Sequence, residues 1–394
     1  MQQPTSAFAS VKKEKIFFPN LDGLRFFSFF AVFLYHTYLS FFNNIRDTNP
    51  GAFRYIEVLF RNGNLGVNFF FVLSGFLITF LLIKEKEFKG TIHVPNFYVR
   101  RILRIWPLFY LCVFIGFILF PLIKQFTGGT PDEIARPIYY IFFANNFDFM
   151  HSWPTKPDAT ILSVLWSVAV EEQFYLTWPV ILSIVPYRFY KYVFITIVLG
   201  SLLFRSFYTG LNDHDFGVRY FHTFSLIGDM AFGGLLAYFC SFNNPFRRFI
   251  TNMNRLQISM IYFGALVVTI FKDDLFTINS VSIVIERIVI AFFYGMIILE
   301  QSYAERSFFK MSKFKTISRL GIYTYGLYCL HLLGFLVADV LLTKAGLNKT
   351  SFGVALAGSA IALILSIVIS LASYHFFEKW FLGFKDKFAF IVKK

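Results

Sequence analysis

Ten apolar runs, each long enough to cross the hydrocarbon core of a bilayer, dominate this 394-residue sequence. A helix rises about 1.5 Å per residue, so about 20 residues span a core of about 30 Å. Only 15% of the residues are charged and 56% are hydrophobic, which excludes an ordinary soluble protein. We therefore expect an all-α, polytopic integral membrane protein with about ten transmembrane helices. The runs fall at about residues 24–42, 65–83, 105–123, 163–186, 192–208, 222–241, 256–271, 282–301, 321–343 and 353–377.

The connections between these runs contain no segment large enough for a separate folded domain. The longest, from Lys124 to Leu162, has about 39 residues. Within it, Ile138–Phe147 is apolar but too short to span, so we expect an interfacial or re-entrant piece. No small-residue cleavage site follows the first run, which indicates an uncleaved anchor. The sequence predicts one membrane domain, residues 21–380, between tails at 1–20 and 381–394.

Lysine and arginine are distributed unevenly between alternate connections, which indicates an orientation in the membrane. Connections on the side of the N-terminus carry 24 of these residues and connections on the other side carry 11, with Arg25 and Arg287 left out as intramembrane. Cytoplasmic loops are enriched in Lys and Arg, so both termini and both tails are predicted to be cytoplasmic. This asymmetry accounts for the net charge of +14 without a nucleic-acid partner.

The first run carries two ionisable side chains, Arg25 and His36, at a depth where charge is costly. Their separation is close to three helical turns, so both project from one helix face, about 16 Å apart. His36 is a candidate general base, because imidazole titrates near neutral pH. The alternative is that Arg25 reaches the lipid headgroups and His36 hydrogen-bonds to a neighbouring helix.

A cationic cluster precedes the third run, where Arg100 and Arg101 share a helix face with Arg104. The N-terminus of a helix favours anions through its dipole, and the lysines within residues 84–89 add charge. This pattern predicts a phosphate site. The alternative is that the arginines meet anionic headgroups, as the positive-inside bias requires.

Two adjacent carboxylates, Glu171 and Glu172, lie in the first half of the fourth run and must face protein or water. By depth, Glu172 reaches the level of His36, so we expect it to fix the imidazole tautomer and stabilise the imidazolium ion. His331, in the ninth run, falls near the same level. The alternatives are a structural ion pair between Glu172 and an intramembrane arginine, and an interhelical hydrogen bond for His331.

Other sequence signals limit the chemistry. Ser74 lies near mid-membrane, where small residues commonly serve close helix packing. The sequence has no G-x-S-x-G elbow, no Walker loop and no zinc spacing, and its three cysteines form no CxxC pair. We therefore expect no metal and no permanently bound cofactor.

The combination of motifs resembles the acyltransferase 3 family of integral membrane acyltransferases, and the resemblance covers essentially the whole chain. The motifs, in the order of the family, are Leu21-Asp-Gly-Leu-Arg25 to His36, the Phe-Phe-Phe-Val-Leu-Ser-Gly-Phe-Leu run around Ser74, Arg101 with Arg104, Trp166-Ser-Val-Ala-Val-Glu171-Glu172-Gln-Phe-Tyr, Tyr323 to His331, and Ser373-Tyr-His-Phe-Phe-Glu378-Lys.

The resemblance implies transfer of acetyl or related groups, commonly from acyl-CoA, to hydroxyls of cell-envelope sugars at a bacterial plasma membrane. It implies that His36 is the catalytic base and that Arg25, Arg101 and Arg104 are needed for activity. Many relatives carry an added extracytoplasmic hydrolase-like domain. This chain ends at Lys394 without one, so we expect a stand-alone transferase or one with a separate extracytoplasmic partner.

A hypothesis for the reaction combines these residues. The phosphates of coenzyme A would lie at the arginines, the pantetheine arm would extend about 16 Å to His36, and the acceptor hydroxyl would enter from the outer side. Direct transfer and a transient acyl-histidine both remain open. Residues expected to support the site or to contact substrate are Ser74, Trp166, Glu171 and His331.

Two alternative functions remain open from the sequence. An acyltransferase of this kind could act on a lipid or a small metabolite instead of a glycan. A transporter or flippase would also place Arg, His and Glu within the membrane, but it predicts an inverted repeat, and the two halves of the sequence show none.

Overall fold

The computed structural model describes residues 18–388, and within this range the chain is helical with no β-strand. Residues 1–17 and 389–394 lie outside the described part, and with them most of the N-terminal tail and the last six residues of the C-terminal tail predicted to be cytoplasmic. The ten predicted runs correspond to ten long helices: α1 (Pro19–Ser40), α2 (Gly66–Lys89), α3 (Val94–Phe114), α4 (Leu165–Ile184), α5 (Tyr190–Ser206), α6 (Thr223–Phe242), α7 (Arg255–Ile270), α8 (Ser280–Tyr303), α9 (Thr324–Lys344) and α10 (Phe352–Ser373).

Shorter helices connect or extend these ten. Two π-helical segments interrupt the bundle, Ile115–Leu119 after α3 and Tyr374–Glu378 after α10. The predicted interfacial piece corresponds to Pro137–Ile141 and the beginning of the next short helix. The short α-helices are Pro50–Phe60, Phe120–Phe126, Pro137–Ile141, Asn145–Ser152, Asp213–Phe221, Asn244–Thr251, Lys272–Phe276, Lys315–Ile322 and Lys379–Lys385.

Seven helical stretches of the described chain are long and apolar enough to cross a membrane. The predicted number of ten spans is therefore not confirmed. Helices α1 and α4, which carry polar residues predicted for the site, are not among these stretches, and α7 forms a pair with Asn244–Thr251 that is bent by 90°. The seven stretches are Pro50–Lys89, Val94–Phe126, Tyr187–Ser206, Asp213–Phe242, Ser280–Tyr303, Thr324–Lys344 and Phe352–Lys385.

Glycine allows α2 and α6 to cross at backbone contact. A Cβ atom on Gly75 would lie 2.0 Å from the carbonyl oxygen of Met230, and one on Gly233 would lie 2.1 Å from that of Val72. Small residues at such crossings are the usual basis of helix association in membranes. The role in close packing that the sequence suggested for Ser74 thus belongs to its neighbour, and Ser74 projects elsewhere.

Helix α1 lies among elements from distant parts of the chain. A Cβ atom on Gly321 would lie 1.9 Å from the carbonyl oxygen of Asp22, so the short helix Lys315–Ile322 packs directly on the beginning of α1. At the other end of α1, Phe33 and Phe41 pack on Phe335 of α9. These contacts fix both ends of the helix that carries Arg25 and His36.

Candidate functional site

The two intramembrane histidines are in direct contact. Nε2 of His331 lies 3.1 Å from Nδ1 of His36, and the ring centroids are 4.9 Å apart. Each histidine also contacts a carbonyl oxygen of its own helix through Nδ1, His36 that of Val32 at 3.0 Å and His331 that of Tyr328 at 2.7 Å. The convergence predicted for His36 and His331 is therefore present in the structure.

These contacts determine which nitrogen carries each proton in the neutral pair. A carbonyl oxygen can only accept, so Nδ1–H of His331 donates to Tyr328 and leaves Nε2 with a lone pair. Nδ1 of His36 carries a proton for the same reason. This N–H group is shared between the Val32 carbonyl oxygen and the lone pair on Nε2 of His331. Nε2 of His36 has no hydrogen-bond partner among the described residues. It is the nitrogen that is free to act on a substrate.

Aromatic side chains hold the inner histidine in place. His331 is fully buried, and its ring lies between Phe29, with centroids 5.7 Å apart, and Phe335, with centroids 6.1 Å apart. Its carbonyl oxygen accepts a hydrogen bond from Oγ of Ser366 on α10. His36, by contrast, is only half-buried. The pair thus consists of one fixed, enclosed imidazole and one that solvent can reach.

The long connection between α3 and α4 brings a lysine towards His36. The ammonium group of Lys156 is close enough for its charge to act on the imidazole. Burial lowers the pKa of Lys156 from its usual value. Within residues 18–388, no ion pair or hydrogen bond neutralises this ammonium group. It provides a positive charge beside the accessible histidine.

Three arginines gather at the other end of α1. The charge of Arg25 acts on Arg104, and that of Arg104 acts on Arg101, so the group carries concentrated positive charge. Arg25 pairs with Asp22 one turn earlier on its own helix. The Arg101 guanidinium lies 5.0 Å from the ring centroid of Tyr175 and 5.3 Å from that of Phe97.

Arg104 is the member of this group best placed to bind an external anion. Its side chain is exposed, and among the described residues it makes neither a hydrogen bond nor an ion pair. The π-helical turn after α10 places Glu378 where its charge interacts with Arg104, while the Glu378 carboxylate accepts a hydrogen bond from Ser373 at 2.9 Å. The terminal motif of the sequence therefore reaches the arginine group, a location that sequence reasoning missed.

Lys86 and Arg100, members of the broader cluster predicted from sequence, make internal contacts, although the charge of Arg100 also acts on Arg101. Nζ of Lys86 donates to the carbonyl oxygens of Leu182, Ser183 and Val185 at 2.7–3.1 Å and so caps the C-terminus of α4. Arg100 pairs with the buried carboxylate of Glu85 at 3.2 Å. These cations serve helix packing.

The first carboxylate of α4 connects Ser74 to an aromatic hydroxyl. Glu171 accepts hydrogen bonds from Oγ of Ser74 at 3.0 Å and from the Tyr175 hydroxyl at 2.8 Å. The ring of Tyr175 lies beneath Arg101, so the carboxylate, the phenol and the guanidinium form a continuous polar path. Sequence reasoning did not single out Tyr175, although its position four residues after Glu171 places both on one helix face.

The second carboxylate lies with the arginines and not with the histidines. Oε2 of Glu172 accepts a hydrogen bond from the indole Nε1–H of Trp106 at 2.8 Å, and its charge acts on Arg101. The structure therefore corrects the expected contact of Glu172 with His36, since the side chain at hydrogen-bond distance from His36 is His331. The alternative ion pair with an intramembrane arginine is also absent from the described contacts, because Arg25 pairs with Asp22 and Arg287 with Asp229.

Trp166 and Gln173 have packing and bracing contacts. Trp166 is 7% exposed and packs against Tyr220 and Phe221. Its expected contact with substrate stays a prediction. Nε2 of Gln173 donates to the carbonyl oxygen of Phe143 at 2.7 Å and to Oδ1 of Asn146 at 2.9 Å. Gln173 thus ties α4 to the short helices of the long connection.

A pocket beside α1 is separate from these polar groups. A cavity of about 440 Å³ lies beside α1 and is lined by apolar side chains that include Leu24, Phe27, Tyr294 and Phe314. None of the predicted site residues lines it. No cluster of three His, Cys, Asp or Glu side chains within residues 18–388 has the arrangement of a metal site.

Comparison with known proteins gives a family match over most of the chain. The model of an acyltransferase domain family, Acyl_transf_3, matches residues 18–371. The O-acetyltransferase OatA of Staphylococcus aureus strain NCTC 8325 / PS 47 is 31% identical over 235 residues, which is 56% of this chain and 34% of the relative. OatA of strain MRSA252 matches to the same extent.

A further Staphylococcus aureus protein, from strain COL and named provisionally as an O-acetyltransferase, is 29% identical over 244 residues, or 59% of this chain and 36% of the relative. The chain thus spans about a third of the length of the curated relatives it matches. No solved structure matches significantly.

Proposed function

This chain belongs to the acyltransferase 3 family of membrane acyltransferases, and on that premise we propose that it is an O-acetyltransferase that moves an acetyl group from acetyl-CoA to a hydroxyl of a cell-envelope glycan. The observation that carries the proposal is the arrangement along α1. An arginine group with one exposed, unpaired guanidinium lies at one end, and a histidine with a free Nε2 lies about 16 Å further along the helix.

The donor end is assigned by charge. Coenzyme A is a polyanion whose phosphates match the planar, fork-like donor set of a guanidinium group. We assign the phosphates to Arg104, with Arg101 and Arg25 contributing charge and geometry. An extended pantetheine arm bridges the distance from this group to His36, so the thioester reaches the imidazole while the nucleotide stays at the arginines.

The acceptor end is assigned by the free nitrogen of His36. The acceptor hydroxyl transfers its proton to Nε2 as its oxygen attacks the thioester carbonyl carbon. The tetrahedral species then collapses with cleavage of the carbon–sulfur bond, and the proton passes from Nε2 to the departing thiolate. The products are the O-acetyl ester and coenzyme A with a free thiol. A transient acetyl-imidazole at the same nitrogen uses the same groups in two steps.

Orientation follows from the charge distribution. With the termini cytoplasmic, the arginine group faces the compartment that contains acetyl-CoA, and His36 lies towards the outer side. The long connection with Lys156 then covers the outer mouth of the site. This arrangement acetylates an outer acceptor without moving the sugar inward, at the plasma membrane of a bacterium.

Transfer of radiolabelled acetyl from acetyl-CoA in membrane vesicles tests the proposal directly. We expect label in the glycan fraction with the wild-type chain and a loss of at least about 100-fold with His36→Gln, because general-base catalysis contributes that much. The matched control is His214→Gln, since the His214 side chain is 73% exposed and its only ion pair is with its neighbour Asp215 among the described residues. Label in the lipid fraction would identify a lipid acceptor instead, and equal labelling in wild type and His36→Gln would remove His36 from the mechanism.

A further inference from the structure

We propose that His331 is the positioning residue of this enzyme: its Nε2 holds His36 in the Nδ1–H tautomer and shares the charge of the imidazolium ion that forms during transfer. The inference rests on the proposed function and deepens it. Its basis is the 3.1 Å contact between the two rings together with the 2.7 Å contact between Nδ1 of His331 and the Tyr328 carbonyl oxygen.

The Tyr328 carbonyl oxygen, the last acceptor in this series of hydrogen bonds, determines which atom donates in each of them. The Tyr328 carbonyl oxygen cannot donate, so His331 must present a proton to it and a lone pair to His36. That lone pair, together with the Val32 carbonyl, favours a proton on Nδ1 of His36. The basic nitrogen that remains is Nε2, the one without a partner among the described residues. Without His331, only the Val32 carbonyl would favour this tautomer.

Burial explains why the partner is a histidine and not a carboxylate. The ring of His331 is fully enclosed by Phe29, Phe335 and Tyr328 at membrane depth, where a permanent charge is expensive. A neutral imidazole supplies the acceptor without that cost in the resting enzyme. When His36 takes a proton at Nε2, its Nδ1–H bond to His331 becomes charge-assisted and therefore stronger. The stabilisation is thus largest during the reaction, as catalysis requires.

Neither Glu171 nor Glu172 can position His36 in this way. Glu172 accepts from Trp106 and Glu171 accepts from Ser74 and Tyr175, so both belong to the arginine end of the site. Within residues 18–388, His331 is the side chain at hydrogen-bond distance from His36. The proposal can therefore be tested at one atom, Nε2 of His331.

Two amide substitutions distinguish the role of Nε2 of His331 from that of Nδ1. The side-chain amide of glutamine reaches the position of Nε2, so His331→Gln keeps an acceptor for His36. The amide of asparagine reaches only the position of Nδ1, so His331→Asn keeps the contact with the Tyr328 carbonyl but leaves His36 without its partner. Both variants replace the ring with a smaller amide, so each serves as the control for lost packing in the other.

We expect His331→Asn to lower kcat about 100-fold with the KM for acetyl-CoA within about twofold, and His331→Gln to retain most of the activity. Nitrogen-15 NMR of the labelled histidines in micelles gives a readout that does not depend on turnover. The signal assigned to His36 by difference with His36→Gln should report Nδ1–H in wild type and in His331→Gln, and a shift towards Nε2–H in His331→Asn.

Full activity in His331→Asn, or equal loss in both variants with an unchanged His36 tautomer, would overturn the inference. The NMR result also separates the two proposals. A chain that transfers no acetyl but shows the His331-dependent tautomer contradicts the proposed function and supports the positioning contact. A chain that transfers acetyl through His36 with no effect of His331→Asn contradicts the inference alone.

Discussion

The indole of Trp106 donates a hydrogen bond to Oε2 of Glu172 over 2.8 Å, linking the third long helix to the fourth beside the arginine group. The other carboxylate oxygen of Glu172 is buried and has no hydrogen-bond partner. Trp106 is therefore the sole hydrogen-bond donor to this carboxylate among the described residues. A buried polar group with a single partner depends strongly on that partner.

Replacing Trp106 by Phe should destabilise the protein by about 1–3 kcal/mol, since the substitution leaves the Glu172 carboxylate unsatisfied. Glu172→Gln in the same background should recover part of this loss, because a neutral amide is less costly to bury than a carboxylate. Unfolding of the two single variants and the double variant in micelles measures the coupling. Additive effects would show that the indole and the carboxylate do not depend on each other.

Arg104 should govern donor affinity. Its guanidinium is exposed and makes no ion pair among the described residues, so Arg104→Gln removes the phosphate contact proposed for it without breaking an internal ion pair. We expect the KM for acetyl-CoA to rise about tenfold or more with a smaller change in kcat, as for an interaction made equally in ground and transition states. Arg188→Gln is the control, because Arg188 is an exposed arginine near the beginning of α5 that contacts Phe189. Equal KM values in the two variants would place the donor elsewhere.

The apolar runs predicted all ten long helices, because a run of that length must satisfy its backbone internally within a bilayer. The predicted number of ten spans is not confirmed, since seven stretches of the described chain are long and apolar enough to cross a membrane. Depth along the helices predicted that His36 and His331 lie near one level, and in the structure their rings are in contact. It misplaced Glu172, because depth along an axis does not say which neighbour a helix face meets. The capping of α4 by Lys86 depends on contacts about 100 residues apart along the chain, which no local pattern reveals.

The crossing of α2 and α6 should tolerate no side chain at Gly75. A Cβ atom there would lie 2.0 Å from the Met230 carbonyl oxygen, so Gly75→Ala must push the helices apart and should cost about 1–3 kcal/mol. Because Ser74 is the adjacent residue, its contact with Glu171 should weaken as well. Gly200→Ala is the matched control in another apolar helix, where nothing lies within 4 Å and a small gain in stability is expected. Thermal unfolding in micelles measures the stability of both variants. Equal stability of Gly75→Ala and Gly200→Ala would contradict the close crossing of α2 and α6.

Asp158 should anchor the long connection in a pH-dependent way. Hydrogen bonds from Lys124 Nζ, at 2.6 and 2.7 Å, hold the pKa of this carboxyl below its ordinary value of 3.8. A group with a lowered pKa stabilises the folded state above its ordinary value, and the stabilisation is lost as the pH falls through the folded pKa. Limited proteolysis of the connection should therefore stay constant near neutral pH and accelerate only below about pH 4.

Asp158→Asn should accelerate the same cleavage at neutral pH and remove the acid step. Asp132→Asn is the control, because Asp132 contacts Asp158 through its backbone N–H, which the substitution leaves in place. Cleavage of the Asp158→Asn variant at the wild-type rate would mean that the anchor contributes nothing to the order of the connection.

Acetyl transfer should not depend on the proton gradient across the membrane. A proton taken up at Nε2 of His36 can be shared with His331 through Nδ1, but it can go no further, because His331 faces the Tyr328 carbonyl oxygen, which cannot relay it. In the proposed mechanism the proton leaves through Nε2 to the thiolate of coenzyme A, so each turnover takes up one proton and returns it at the same atom. A protonophore added to sealed vesicles should leave the initial rate of acetyl transfer unchanged, while a pH-sensitive dye confirms that the gradient has collapsed. A rate that falls together with the gradient would instead indicate proton transport through the site, which is what the transporter alternative requires.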